Sequence, residues 1–147
     1  VWTERAIDER LREKFFPGAV QSHAMNYAVV RDGKVVTRRS LMLAEEGKSK
    51  EIPACPRFHV TPENRLFVLY YVYGTDVAGK SVSENRIMEL HLDGSSNPPF
   101  RVPLSYPMNN FFTATVRGGS PPSKIIDLLG TRVSGGGISY ARIRLQE

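Results

Sequence analysis

Residues 25–43, "MNYAVVRDGKVVTRRSLML", set two β-branched runs on either side of Asp32-Gly33. An Asp-Gly between such runs is the strongest short-range hairpin signal. The pattern returns along the chain. "RFHV" and "LFVLYYVYG" flank "TPEN", where Pro62 suits a turn position. "NRIMELHL" follows, with Ile87, Glu89 and His91 on one face and Met88, Leu90 and Leu92 on the other, and ends at a second Asp-Gly, Asp93-Gly94. "FRVPL", "FFTATV", "KIIDLLG" and "ISYARIRL" complete a run of strand signals, the last with Ile138, Tyr140, Arg142 and Arg144 opposing Ser139, Ala141, Ile143 and Leu145. One stretch, "IDERLREKFF", predicts a short helix, with Asp8 as N-cap, Leu11 and Phe15 at i,i+4 spacing, and Pro17-Gly18 as its stop. "AEEGKSKEIP" is expected as an exposed loop and "VSGGG" as a flexible one.

The strand pattern is repetitive. "NYAVVRDG", "RIMELHLDG" and "SYARIRLQE" align with Tyr27, Met88 and Tyr140 in register. The strands before them, "VWTER", "LFVLYYV" and "IIDLLGT", also correspond, and so do "RFHV" and "FFTATV" one step earlier. Successive antiparallel units of this length predict an all-β fold built from four-stranded β-propeller blades. The 147 residues form one domain by size, with blade-like units at 1–44, 57–104 and 110–145. The first unit lacks its innermost strand and the third its outermost. A closed ring needs about four blades or more, so three make an incomplete ring. Such a chain is expected to be a piece of a larger propeller, or to self-associate through its bare blade faces. A β-sandwich of similar hairpins is the alternative.

Charge and cysteine content narrow the chemistry. The net charge of +5 attracts anions, but the basic residues are scattered in small groups such as Arg10, Arg12 and Lys14. No nucleic-acid signature is present, and no nucleic-acid partner is expected. No apolar stretch approaches the roughly 20 residues of a membrane-spanning helix, so no membrane insertion is expected. The one cysteine, Cys55, builds no disulfide framework or cysteine metal cluster; it is expected as a small buried or half-buried side chain, with a catalytic thiol as the sharper option. His23, His59 and His91 have no metal-ligand spacing, so no metal and no cofactor is expected. The chain starts at Val1, within a strand pattern and without Met, as expected of a processed or truncated N-terminus, and no signal peptide is visible.

The layout resembles the sialidase-like propellers whose blades carry the bacterial neuraminidase repeat, or Asp-box. The resemblance lies in the "PRFHVTPENRLFVLYYV" strand pair, the Asp-Gly turn between third and fourth strands, and "ISYARI" as a third strand. "VRDGKVVT" and "HLDGSSNP" occupy the Asp-box hairpin but keep only an adjacent Asp-Gly, without its tryptophan. The resemblance implies recognition of an acidic carbohydrate, with glycoside hydrolysis or polysaccharide lyase chemistry. Sialidases bind the sugar carboxylate with three arginines and use a tyrosine paired with a glutamate. Related propellers cleave uronic-acid polymers with a histidine and a tyrosine as base and acid, and an arginine near the carboxylate. An extracellular or periplasmic location follows if the carbohydrate expectation holds. The rival expectation is a non-catalytic protein-interaction scaffold.

In a propeller the innermost strands line the central channel. "RFHV" and "FFTATVR" would take that place, which nominates Arg57, His59 and Arg117. Arg57 and His59 share a face by alternation. Glu84, Asn85 and Arg86, entering a third strand, are placed to contact a sugar. Arg57, Arg86 and Arg117 would fork onto carboxylates, which lysine cannot copy. His59, Tyr71 or Tyr73 would transfer protons or act as nucleophile. Structural roles are open for each: a strand histidine, turn-capping Glu84 and Asn85, and tyrosines packed between blades. "RGGSPPS" is neither a serine-hydrolase elbow nor a phosphate loop.

Overall fold

The computed structural model describes residues 1–48 and 50–146. It is all-β, with three open antiparallel sheets. Their elements in chain order are Trp2–Arg5 (β1), the helix Glu9–Phe15 (α1), Ser22–Arg31 (β2), Lys34–Glu45 (β3), Lys50–Val60 (β4), Leu66–Thr75 (β5), Ser81–Leu90 (β6), Phe100–Arg101 (β7), Met108–Thr113 (β8), Ile125–Arg132 (β9) and Ile138–Arg144 (β10). The sheets run β1-β2-β3, β4-β5-β6-β7 and β8-β9-β10, so each is a meander that follows the chain. The chain divides into two compact units, Val1–Ala54 with Val72–Val82, and Cys55–Tyr71 with the residues from Ser83 onward.

In the first unit the β2–β3 hairpin turns at Asp32 and Gly33, with φ of 49° and 73°. Positive φ at both central residues gives the twist that joins two antiparallel strands tightly, and Arg31 duly pairs with Lys34. Four successive residues of β2, Ala24 to Tyr27, are buried. Helix α1 starts where expected, Asp8 accepting from the Arg10 N–H at 3.0 Å. Its anchoring differs from the expected apolar stripe: Leu11 and Phe15 are exposed. Polar bonds hold it instead. Arg12 donates to the Ala19 carbonyl at 3.0 Å and to Glu46 at 2.5 Å, and Gln21 donates to the Ile7 carbonyl at 2.7 Å and to Glu9 at 2.6 Å.

In the second unit Phe67 to Tyr71 are all buried, as are Ile87 and Met88. Consecutive burial means that both faces of these strands are covered, which explains a nearly continuous apolar run in β5. The Pro62 turn forms as expected, with the Asn64 N–H bonded to the Thr61 carbonyl at 2.9 Å. Three expectations are corrected. β4 begins at Lys50, inside the expected loop, because Ile52 and the residues after it pair in the sheet. β7 keeps only Phe100 and Arg101, since Pro103 ends its ladder. β8 starts early at Met108 and stops at Thr113, and Val116–Gly118 is a 3-10 turn capped by Thr115.

Arg65 forks onto Glu89 at 2.7 and 2.9 Å, and the Asn97 amide adds a bond to the same carboxylate at 3.1 Å. These bonds to the ionised form, those from Arg65 foremost, hold Glu89 below the usual glutamate range. A depressed carboxylate contributes stability above its unfolded value and loses it as pH falls through the folded one. Glu89→Gln should therefore cost about 1 kcal/mol at neutral pH, a modest figure because Arg65 is partly exposed and water screens the pair. Urea titrations should show the gap to the wild type closing as the pH falls below 4.5, the ordinary value; a gap independent of pH would refute the assignment.

Candidate functional site

The nominated residues of the second unit serve mainly to hold the fold. Asn85 is closed to ligands. It is 1% exposed, its Nδ2 donates to the Met108 carbonyl at 3.0 Å, and its Oδ1 accepts from the Met108 N–H at 2.8 Å. Glu84 accepts from Arg86 Nε at 2.6 Å, and Arg101 Nε lies 3.4 Å from its other oxygen. His59 is buried, with Nε2 2.6 Å from the Ser123 carbonyl. A carbonyl only accepts, so Nε2 carries the proton and donates. The Ser123 N–H returns a bond to the Val60 carbonyl at 3.1 Å, and the two together pin the segment to β4. The Tyr71 ring is buried with its hydroxyl 2.9 Å from Ser83 Oγ. Arg57 donates to the Pro56 carbonyl at 2.9 Å and rests its guanidinium 5.8 Å from the Phe112 ring. Arg117 is exposed on the 3-10 turn, off the strand expected to carry it.

Tyr73 is different. It belongs to the first unit, its side chain is exposed, and it lines a cleft of about 270 Å³ with Thr3, Glu4, Arg5, His23, Ile52, Pro53 and Ala54. Arg5 and His23 are direct partners across β1 and β2. Direct partners stand on the same face about 5 Å apart. His23 also lines a neighbouring cleft of about 230 Å³ with Glu9, Arg12 and Gln21.

Withdrawal from water, helped by the Arg5 charge and opposed by Glu9, holds His23 below the usual imidazole range. It is therefore neutral at pH 7 and has a lone pair to accept a proton. Arg5 is exposed, and among the described residues it forms no ion pair. The Glu4 carboxylate is turned to other partners: it accepts from Trp2 Nε1 at 2.9 Å and lies 3.6 Å from Arg38. The cleft thus offers a guanidinium for an anion, a neutral imidazole and a phenol. Gly74 sits beside Tyr73 at φ 121°, where a Cβ would overlap the Lys50 carbonyl oxygen, so a glycine is needed to bring β4 and β5 together there.

Sequence reasoning nominated Tyr73 but missed Arg5 and His23. Their signal was the pairing of "VWTER" with the strand after Ser22, which a register assignment for that hairpin would have exposed. Among the described residues no three of His, Cys, Asp and Glu gather as a metal site, and Cys55 is half-buried at φ 50°. No family model matches the chain, and neither a curated protein nor a solved structure does.

Proposed function

We propose that the protein recognises an acidic carbohydrate in the Arg5–His23–Tyr73 cleft and acts on it as a uronate lyase. The observation that carries this is the placement of an exposed guanidinium, which forms no ion pair among the described residues, beside an imidazole held neutral. Arg5 forks onto the sugar carboxylate, and neutralising that charge acidifies the adjacent C–H. His23 takes the proton from that carbon. The electron pair forms a carbon–carbon double bond, the glycosidic C–O bond breaks, and Tyr73 supplies the proton to the departing oxygen. The successive antiparallel meanders support the accompanying proposal that the sheets are blades of an incomplete sialidase-like propeller.

The test is calorimetric titration with uronate oligosaccharides, together with ultraviolet detection of the unsaturated product. Arg5→Ala should weaken binding about 10- to 100-fold, the worth of a charge-assisted pair, and Arg5→Lys should recover only part of it. His23→Ala should keep binding and lose turnover. The rate should rise with pH and level off below pH 6.5, since only the neutral ring accepts a proton. Equal binding by wild type and Arg5→Ala, or no binding by either, would return the chain to the interaction-scaffold reading.

A further inference from the structure

Sheet β8-β9-β10, in the second unit, buries Phe111, Ile126 and Leu128 on one side. Alternation sends the next residues to the other side. There the register aligns Phe112 with Leu129 and Leu129 with Tyr140, one row across all three strands. These side chains are 66%, 49% and 59% exposed, and Ile138 one step along β10 is 74% exposed. A core-forming β-sheet does not normally leave such a row in water.

We infer that this face is an interface with a second copy of the chain, packed face to face about a two-fold axis. Two observations select that occupant. The first is area. An aromatic side chain covers about 150–250 Å² when fully buried, so the four side chains leave on the order of 400–500 Å² of apolar surface bare. That matches the largest apolar patch of a typical monomer, which is often functional. Two such faces remove roughly twice that area from water, and with a polar rim they reach the ~1,200–2,000 Å² of a specific association.

The second observation is charge. The chain carries +5 overall; this face carries the exposed Arg142 and Arg144 and one acid, Asp127. Arg142 and Asp127 are register partners joined at 2.8 Å, and the Tyr140 hydroxyl donates to the same carboxylate. A two-fold axis parallel to the strands, crossing the apolar row between Leu129 and Tyr140, brings Arg142 of one copy toward Asp127 of the other, so that pair complements itself across the interface.

Sedimentation velocity of the full chain across a wide concentration range tests this. The wild type should show a concentration-dependent dimer. Leu129→Arg should weaken dimerisation at least about ten-fold, since it puts a charge at the centre of the desolvated row. Phe112→Ser, at an exposed position that packs no core, provides a second variant should the first fold poorly. Val36→Arg, on the exposed edge strand β3 of the first unit, should leave dimerisation unchanged. A wild type that stays monomeric throughout, or dimerisation equal in wild type, Leu129→Arg and Phe112→Ser, overturns the inference. The outcome is independent of the cleft, which uronate binding tests by itself.

Discussion

Gly74→Ala is expected to destabilise the protein by about 3 kcal/mol or more, a loss near 10 °C in thermal midpoint for a chain of this length. Two causes act together. The φ of 121° lies where an L side chain is strained, and the new Cβ overlaps the Lys50 carbonyl oxygen while coming within 3.1 Å of its carbonyl carbon. Backbone cannot swing away as a long side chain can, so β4 and β5 must separate there. Tyr73 is the preceding residue, and the variant should therefore also bind acidic ligand more weakly under conditions where it remains folded. A thermal midpoint within a few degrees of wild type would mean that the two strands do not approach so closely.

Asn85→Ala should cost about 3 kcal/mol. It leaves the Met108 N–H and carbonyl without their partners at a buried position, and each unmet group carries a penalty of about 1–3 kcal/mol. The effect should be local as well as global: hydrogen exchange at the Met108 amide should quicken beyond what the loss of stability alone predicts. Asn85→Asp is the sharper probe. Its oxygen can still accept from Met108, but at pH 7 the other oxygen faces the Met108 carbonyl and repels it. Burial raises the carboxyl pKa in the folded state, so this variant should regain stability as pH falls toward the range where the acid is protonated and donates. A fall in stability over the same range would refute the assignment.

The contrast between Asn85 and Tyr73 shows what was legible. Both were nominated from their place along a strand. Alternation does not say what stands opposite. Met108, which uses both ends of the Asn85 amide, lies 23 residues away. The Ser123 carbonyl, which holds His59, lies 64 away. Arg5 and His23 carried no local signal at all, being an arginine and a histidine on different strands separated by a helix.

Local chemistry determined the parts. Asp32-Gly33 set a hairpin because positive φ suits both its residues, Asp8 set a helix start because its carboxylate meets an orphan N–H, and alternating or unbroken apolar runs set the strands and their meander order. Tertiary structure alone decided which polar side chains face each other across β1 and β2, which are buried against distant backbone, and which apolar row stays in water, because those outcomes depend on pairings between residues far apart in the chain that no short window of sequence contains.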